Sequence, residues 1–285
     1  MPAGAAEPIA PIPGPPDQPP GLVALGRALF DEPRLSGDGI TTCRTCHDIS
    51  TNGATGNTSD GLRPGGGPSR NTPTVFNTAL NFRFNWGGEF RTLEAHATAT
   101  LSEVTGQDAE TAARRLRADP AIAERFRNVF GHEAEGADIL AAITAFERSL
   151  TTPDGDFDRW LLGDAGAISA LARAGYALFK SYGCVSCHQG ANVGGNLLQT
   201  SGLYQTLSDP ARPLLRVPSL RNVAATAPYF HDGSAATLPE AVRRMGLAQL
   251  ERVLPPTDIS AVVAFLETLT GRIDGRLVTS PGTHD

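Results

Sequence analysis

The sequence predicts a mostly helical protein built from two related domains in tandem, with long loops between the helices. Aromatic residues make up only 6% of the chain while glycine (31) and proline (22) are plentiful, which suits helices joined by turn-rich loops better than a β-sandwich. Two short amphipathic runs, over 22–30 and 171–179, each precede one of two similar cysteine motifs. Parts of the first half also recur in the second half, the cysteine motifs at an offset of 141 and a later stretch at 145, which indicates duplication.

The internal repeat extends beyond the cysteine motifs. Residues 72–79 align with 217–224 at an offset of 145. The same offset pairs a glycine and a Thr-Leu dipeptide of each half, namely Gly88 with Gly233 and 92–93 with 237–238. Two unrelated proline-containing loops would not keep one offset over so long a stretch. The repeat predicts a first domain over 21–150 and a second domain over 151–285. A composition rich in proline, alanine and glycine predicts a flexible N-terminal segment over 1–20.

Hydrophobic periodicity places the main helices. They are expected over 22–30, 108–118, 137–150, 168–181, 239–250 and 257–269. Pro120 breaks the helical pattern after Ala118, because proline lacks the N–H that a helix interior needs. Thr257 is the expected N-cap of the last helix.

The four cysteines carry the strongest chemical signal in the sequence. They fall in two Cys-x-x-Cys pairs, each followed at once by histidine: Cys43, Cys46 and His47, then Cys184, Cys187 and His188. This is the attachment pattern of c-type haem. Two thiols at this spacing form thioethers to the two vinyl groups of one porphyrin, and the adjacent imidazole binds the iron. The sequence therefore predicts two covalently bound haem c groups.

Two other chemistries use Cys-x-x-Cys pairs. Two pairs can build a four-thiolate zinc site, but such a site needs no histidine after either pair, and zinc-ribbon pairs usually lie closer together. A thioredoxin-like dithiol uses one pair rather than two. The two following histidines therefore favour haem.

The two halves differ in the residue available as a second ligand to each iron. Met245, the only methionine besides Met1, lies in an expected helix with a proline in its first turn. A thioether there completes a His/Met haem, which raises the reduction potential, although methionine also commonly fills gaps in a core. The offset of 145 places Thr100, a poor iron ligand, at the matching position. The first haem is therefore expected to be open to a small molecule such as peroxide.

Two ionisable residues flank Thr100 at helical spacing. His96 and Glu103 would share its helix face, where an acid–base group can deliver a proton to the leaving oxygen of a peroxide. The alternatives are a surface or iron-ligating role for His96 and a solvated helix position for Glu103.

Composition bears on the choice of partner. A net charge of −6 argues weakly against nucleic acid or an anionic membrane as the main partner and is compatible with a basic partner protein. The sequence holds no run of 18 apolar residues, so we expect no membrane span. The proline- and alanine-rich start lacks the pattern of a secretion signal.

Beyond the haem motifs, several stretches resemble the bacterial dihaem cytochrome c peroxidases and their relative MauG, over about 21–270 of the chain. The matching stretches are 25–30 (LGRALF), 33–39, 70–75, 157–160 and 216–233. The resemblance implies two tandem cytochrome c-like haem domains, with the first haem reacting with hydrogen peroxide and the second transferring electrons. Because haem attachment of this type implies export, we expect a periplasmic protein.

The resemblance also assigns roles to particular residues. Met245 falls on the distal ligand of the electron-transfer haem, where MauG has tyrosine, and Trp86 falls on the tryptophan between the two haems that is proposed to relay electrons. His231 matches a histidine that does not bind iron. A calcium ion is expected at the family's oxygen-donor site, formed here by Asn77, Thr226 and Pro228.

Departures from the family pattern leave three functions open. Segment 61–70 lacks the histidine that caps the first iron in many of these peroxidases, and His96 replaces a distal glutamine. The first expectation is peroxide removal with electrons from a small donor protein. The second is MauG- or MbnH-like oxidation of a tryptophan or tyrosine on a partner protein. The third is a two-haem electron carrier, which would need a second ligand, such as His96, on the first iron.

Overall fold

The computed structural model describes residues 7–55, 70–103, 105–207 and 214–282. The chain divides into two compact units. The first unit comprises 15–79 and 90–151, and the second comprises 1–14, 80–89 and 152–285. Helices are the main regular secondary structure of both units, which confirms the expected fold class.

The first unit contains six helices in its described residues. These are α1 (Pro20–Phe30), α2 (Cys43–Cys46), α3 (Leu93–Glu103), α4 (Ala109–Arg117), α5 (Pro120–Phe130) and α6 (Gly136–Ser149). Their apolar faces meet in one core, to which α1, α4, α5 and α6 contribute Leu29, Leu116, Phe126 and Ile139. The core therefore depends on helices far apart in the sequence.

The second unit is built in the same way around α7 (Asp156–Leu161), α8 (Ala170–Ser181), α9 (Leu238–Leu250) and α10 (Pro256–Glu267). Two short antiparallel hairpins accompany these helices. They pair β1 (Leu198–Thr200) with β2 (Leu214–Arg216), and β3 (Arg272–Ile273) with β4 (Arg276–Leu277). An aromatic cluster of Phe157, Tyr176 and Phe265 fills the core with ring centroids 4.8–5.0 Å apart.

The same close helix crossing occurs in each unit. A Cβ at Gly26 of α1 would lie 1.9 Å from the carbonyl oxygen of Ala142 on α6, and one at Gly175 of α8 would lie 1.8 Å from that of Ala261 on α10. Only glycine allows the backbones to approach this closely. These crossings bring each helix that precedes a cysteine motif against the last helix of its unit's main bundle.

The backbone confirms the duplication. Asn77 and Asn222, which are 145 positions apart, have φ angles of 61° and 60°. Their N–H groups donate to the carbonyls of Leu150 and Leu269, at 2.8 and 3.1 Å. Each of these leucines follows the last helix of its unit's bundle, so the two units repeat a long-range contact as well as a sequence pattern.

The six expected helices are all present, with ends within two residues of the prediction. The expected cap at Thr257 is wrong: α10 begins at Pro256 with Pro255 as its cap, because the fixed φ of proline suits the first helical position. Pro120 does break the pattern, as α4 ends at Arg117, but it also begins α5, a helix not expected from the sequence.

The start of the chain differs from the expected flexible segment. Glu7 accepts a hydrogen bond of 2.6 Å from the Tyr176 hydroxyl, and Ile9 is only 1% exposed. Arg221 donates to the carbonyl of Ala10 at 2.8 Å. Composition was misleading here because two isoleucines in an otherwise proline-rich segment, Ile9 and Ile12, are buried in the second unit.

No helix within the described ranges has the length and apolar character needed to cross a lipid bilayer.

Candidate haem centres

The first cysteine motif forms a single helical turn. α2 carries Cys43 and Cys46, and Thr42 caps it through a reciprocal capping box with Thr45. The N–H of His47 donates to the carbonyl of Cys43 at 2.9 Å, which closes the turn. The turn presents two thiols and one imidazole from five consecutive residues, the donor set of a c-type haem.

Both motif histidines have one ring nitrogen oriented by a carbonyl. Nδ1 of His47 lies 3.2 Å from the carbonyl oxygen of Gly53, and Nδ1 of His188 lies 3.3 Å from that of Val193. A proton on Nδ1 satisfies these contacts and leaves Nε2 as the lone-pair donor. Burial lowers the pKa of both histidines to about 4, although nearby carbonyls act in the opposite direction. Each imidazole is therefore neutral, the form that binds iron.

Met245 and Thr100 occupy the same place in matching helices. Thr237 caps α9, its side chain accepting from the N–H of Glu240, and Met245 follows eight residues later in a half-buried position. Thr92 accepts from the N–H of Ala95 in the same way at the start of α3. Thr100 lies eight residues after Thr92 and is also half-buried. Only the second unit has a potential iron ligand at this position.

The two candidate acid–base residues have different surroundings. His96 is half-buried on α3, with its ring 5.5 Å from that of Phe90, and its proximity contributes to the lowered pKa of His47. Glu103 is the last residue of α3 and is exposed. The structure thus brings His96 near the motif histidine of the first unit and places Glu103 at the surface.

Trp86 belongs to the second unit, where it is 8% exposed and packs edge-on against His231 with ring centroids 6.2 Å apart. The N–H of Arg216 donates to the Trp86 carbonyl at 2.8 Å. The Arg216 side chain donates to Asn81 and to the carbonyl of Asn85, and burial lowers its pKa to about 10. Arg216 therefore ties the segment that carries Trp86 to β2, a role that the sequence did not suggest.

The remaining expected site residues lie in both units. Asn77 belongs to the first unit, whereas Thr226 and Pro228 belong to the second. Asn77 is 1% exposed, and the Thr226 hydroxyl donates to the carbonyl of Val223. Calcium binding stays a prediction. Of segment 61–70, where the capping histidine is missing, only Arg70 falls within the described residues.

Glu147 is a candidate functional residue that the sequence analysis missed. It lies on α6, and its Oε2 atom is buried without a hydrogen-bond partner. A signal for it exists in the sequence: Ala145-Phe146-Glu147 corresponds to Ala264-Phe265-Leu266 in the second half. Both tripeptides lie near the C-terminal end of an expected helix, and aligning them sets a glutamate against a leucine.

Both units have the same helix crossing, and each presents a Cys-x-x-Cys-His turn whose imidazole Nε2 can bind iron. These features define a two-haem c-type cytochrome. Comparison with known proteins gives the family. A family model described as di-haem cytochrome c peroxidase matches residues 20–166, and one described as cytochrome c matches residues 172–270. This chain belongs to the di-haem cytochrome c peroxidase family and carries two haem c groups.

Individual relatives agree with this assignment. The cytochrome c551 peroxidase of Nitrosomonas europaea is 39% identical over 94% of this chain and 85% of its own length. The methylamine utilization protein MauG of Methylorubrum extorquens is 36% identical, over 88% and 78%. Among solved structures, a MauG-like protein associated with microbial copper homeostasis matches with a TM-score of 0.78 and 26% identity, covering 95% of this chain and 96% of that one.

Proposed function

We propose that this protein reduces hydrogen peroxide at the haem held by Cys43, Cys46 and His47, with electrons supplied through the haem held by Cys184, Cys187 and His188. The chain is an oxidoreductase that acts on hydrogen peroxide. The observation that carries the division of labour is the pairing of Thr100 with Met245 at one position of matching helices. One site is left open to substrate, and the other is closed by a thioether that raises its potential.

The haem supplies the redox chemistry, and the side chains supply protons, orientation and access. Each turnover converts one peroxide, two electrons and two protons into two waters. His96 is proposed to hold and transfer a proton near the open site, and Glu103 to exchange protons with solvent from the exposed end of α3. His47 binds the iron through Nε2 while Gly53 holds its Nδ1. Trp86 is proposed to relay electrons.

The open first site leads to an expected reaction of the fully oxidised protein. One equivalent of hydrogen peroxide should change its absorption spectrum within milliseconds to seconds, without prior reduction. Thr100→Met, which places a thioether at the open position, should suppress this change. Reaction only after one-electron reduction would mean that a residue already caps the first iron, and no reaction in either state would favour the electron carrier.

His96 and Glu103 can be tested separately. His96→Ala should slow the peroxide reaction about 100-fold or more, the usual range for loss of an acid–base group. Glu103→Gln should have a smaller effect because the side chain is exposed. A faster reaction in His96→Ala would show that His96 occupies the iron in the resting protein.

Oxidation of a tryptophan or tyrosine on a partner protein is the second candidate function. It is supported by the absence of a capping histidine in 61–70 and by the likeness to the MauG-like protein associated with copper homeostasis. Persistence of the peroxide-oxidised protein in the presence of reduced small cytochromes or copper proteins would favour it. Rapid decay with stoichiometric oxidation of such a donor would favour peroxide removal. We also propose a periplasmic location and one bound calcium ion.

A further inference from the structure

A buried carboxyl group in the first unit stands where the second unit has a leucine. Ala142 and Ala261 are the residues that the glycines contact at the two helix crossings. Four positions after each comes a phenylalanine that packs in the core, Phe146 or Phe265. The next residue is Glu147 in the first unit and Leu266, 3% exposed, in the second. The fold therefore accepts a purely apolar residue here, and burying a carboxyl instead costs desolvation energy.

The charged groups around Glu147 do not neutralise it. Arg148, its neighbour on α6, is paired with Glu94 of α3, and Oε2 of Glu147 has no hydrogen-bond partner. Burial raises the pKa of Glu147 to about 7; Arg148 opposes this shift and Glu94 adds to it. Before haem is attached, burial raises the pKa of the Cys43 thiol and the charge of Glu147 adds to this shift. The carboxyl is therefore electrostatically coupled to the haem-attachment turn.

Among the described residues, the charged groups of α1 and α4 are either exposed or engaged elsewhere. On α1, Arg27 lies on the exposed side, and Asp31 just after the helix pairs with Arg44. From α4, Glu110 accepts from the N–H of Gly136 at the opposite end of α6. Within the part of the chain that the structure describes, the charges acting on Glu147 are therefore those of Glu94 and Arg148, which are paired with each other.

We propose that Glu147 holds the proton that accompanies the electron at the N-terminal haem. The Glu147 carboxylate would take up one proton from solvent as one electron from a one-electron donor enters the site. It would release that proton as the electron leaves. Because one electron and one proton enter together, the net charge of the pocket does not change. This matters because a buried site, unlike water, cannot screen an added negative charge. This deepens the proposed function, since it rests on a redox-active haem at the first motif.

Infrared difference spectroscopy of the whole two-haem protein tests this directly. Reduction of the N-terminal haem near pH 7 should produce the C=O band of a protonated carboxyl, and Glu147→Gln should remove that band. In a redox titration, the potential of this haem should fall with rising pH, approaching a tenfold change in the one-electron equilibrium, about 59 mV, per pH unit. In Glu147→Gln the potential of this haem should depend less on pH. The C-terminal haem of the same protein reports whether the variant is folded.

Glu124→Gln is the matched control, because it makes the same chemical change at an exposed position of α5 in the same unit and should keep both the band and the slope. Glu147→Leu, which copies the second unit, should behave like Glu147→Gln. An unchanged slope and band in Glu147→Gln would overturn the inference. Neither readout uses peroxide, so a protein that fails to react with peroxide would contradict the proposed function and leave this result intact.

Discussion

Met245 and Thr100 differ in the atom that each could offer to a haem. They follow their helix caps by the same number of residues, yet only Met245 carries a thioether, a group able to bind iron. In the proposed function, the difference between an electron-transfer site and a substrate site rests on this single residue. The same applies to Glu147 and Leu266, where a carboxyl replaces a hydrocarbon in a matched position.

Removing the thioether should lower the potential of the C-terminal haem. We expect Met245→Ala to lower it by at least about 59 mV, a tenfold change in the one-electron equilibrium, because the thioether stabilises the reduced iron. A redox titration of each haem measures this shift. Thr100→Ala is the control and should leave the C-terminal potential unchanged. An unaltered potential in Met245→Ala would remove Met245 from the ligand set.

Glu147 also predicts how stability depends on pH. Its pKa is raised in the folded protein from an ordinary value of 4.5 to about 7, so the unfolded chain ionises first as pH rises. The folded state therefore loses relative stability between pH 4.5 and 7, and the full penalty remains above that window. Glu147→Gln should increase the free energy of unfolding by on the order of 1–3 kcal/mol at pH 8 and have little effect at pH 4.

Chemical denaturation of the haem-loaded protein at both pH values measures this difference. Glu124→Gln should give the same free energy of unfolding as the parent at each pH, because its carboxyl is exposed in the folded state. Equal stabilisation of Glu147→Gln at both pH values would point to packing rather than to ionisation.

At the scale of the helices, the crossings of α1 with α6 and of α8 with α10 organise the two units. Each crossing depends on a glycine whose missing Cβ lets a carbonyl approach, and each brings a phenylalanine of the later helix into the core. In the first unit this places Phe30 and Phe146 with ring centroids 5.4 Å apart. The cysteine motif follows α1 closely, so the crossing also positions the haem-attachment turn.

Two glycines in α1 allow a matched test of the crossing. Gly26→Ala would place a methyl group 1.9 Å from the Ala142 carbonyl oxygen, so we expect a loss of about 3 kcal/mol in the free energy of unfolding. Gly21→Ala, in the same helix, meets its nearest atom at 3.6 Å and should be neutral or slightly stabilising. Similar stability of the two variants in urea titrations would contradict the importance of the crossing.

At the scale of the whole molecule, each unit is assembled from separate parts of the chain. The second unit combines its long C-terminal portion with residues 1–14 and with 80–89, the segment that carries Trp86. Buried arginines make these connections, since Arg216 donates to Asn81 and Arg221 donates to Ala10. Arg221 is also paired with the buried carboxylate of Asp158 at 2.8 Å.

Deleting the first twelve residues should weaken the second unit. The deletion removes the buried side chain of Ile9 and the acceptor that Ala10 provides to Arg221, so we expect a loss on the order of 2–5 kcal/mol. The visible spectrum of the C-terminal haem during denaturation reports this loss. Leu162→Ala, which truncates a side chain 75% exposed in the same unit, should leave the denaturation midpoint unchanged.

The sequence by itself determined the haem chemistry, because attachment uses two thiols and one imidazole within five consecutive residues. It also determined the main helices and the duplication, since both are written in local periodicity and in a constant offset. Packing in the folded units decided the rest. Ile9 is buried by residues far along the chain, and α5 begins where a proline was expected only to end a helix. The Oε2 atom of Glu147 is enclosed without a hydrogen-bond partner because of the way α6 packs. Burial and desolvation depend on neighbours distant in sequence, so local patterns do not reveal them.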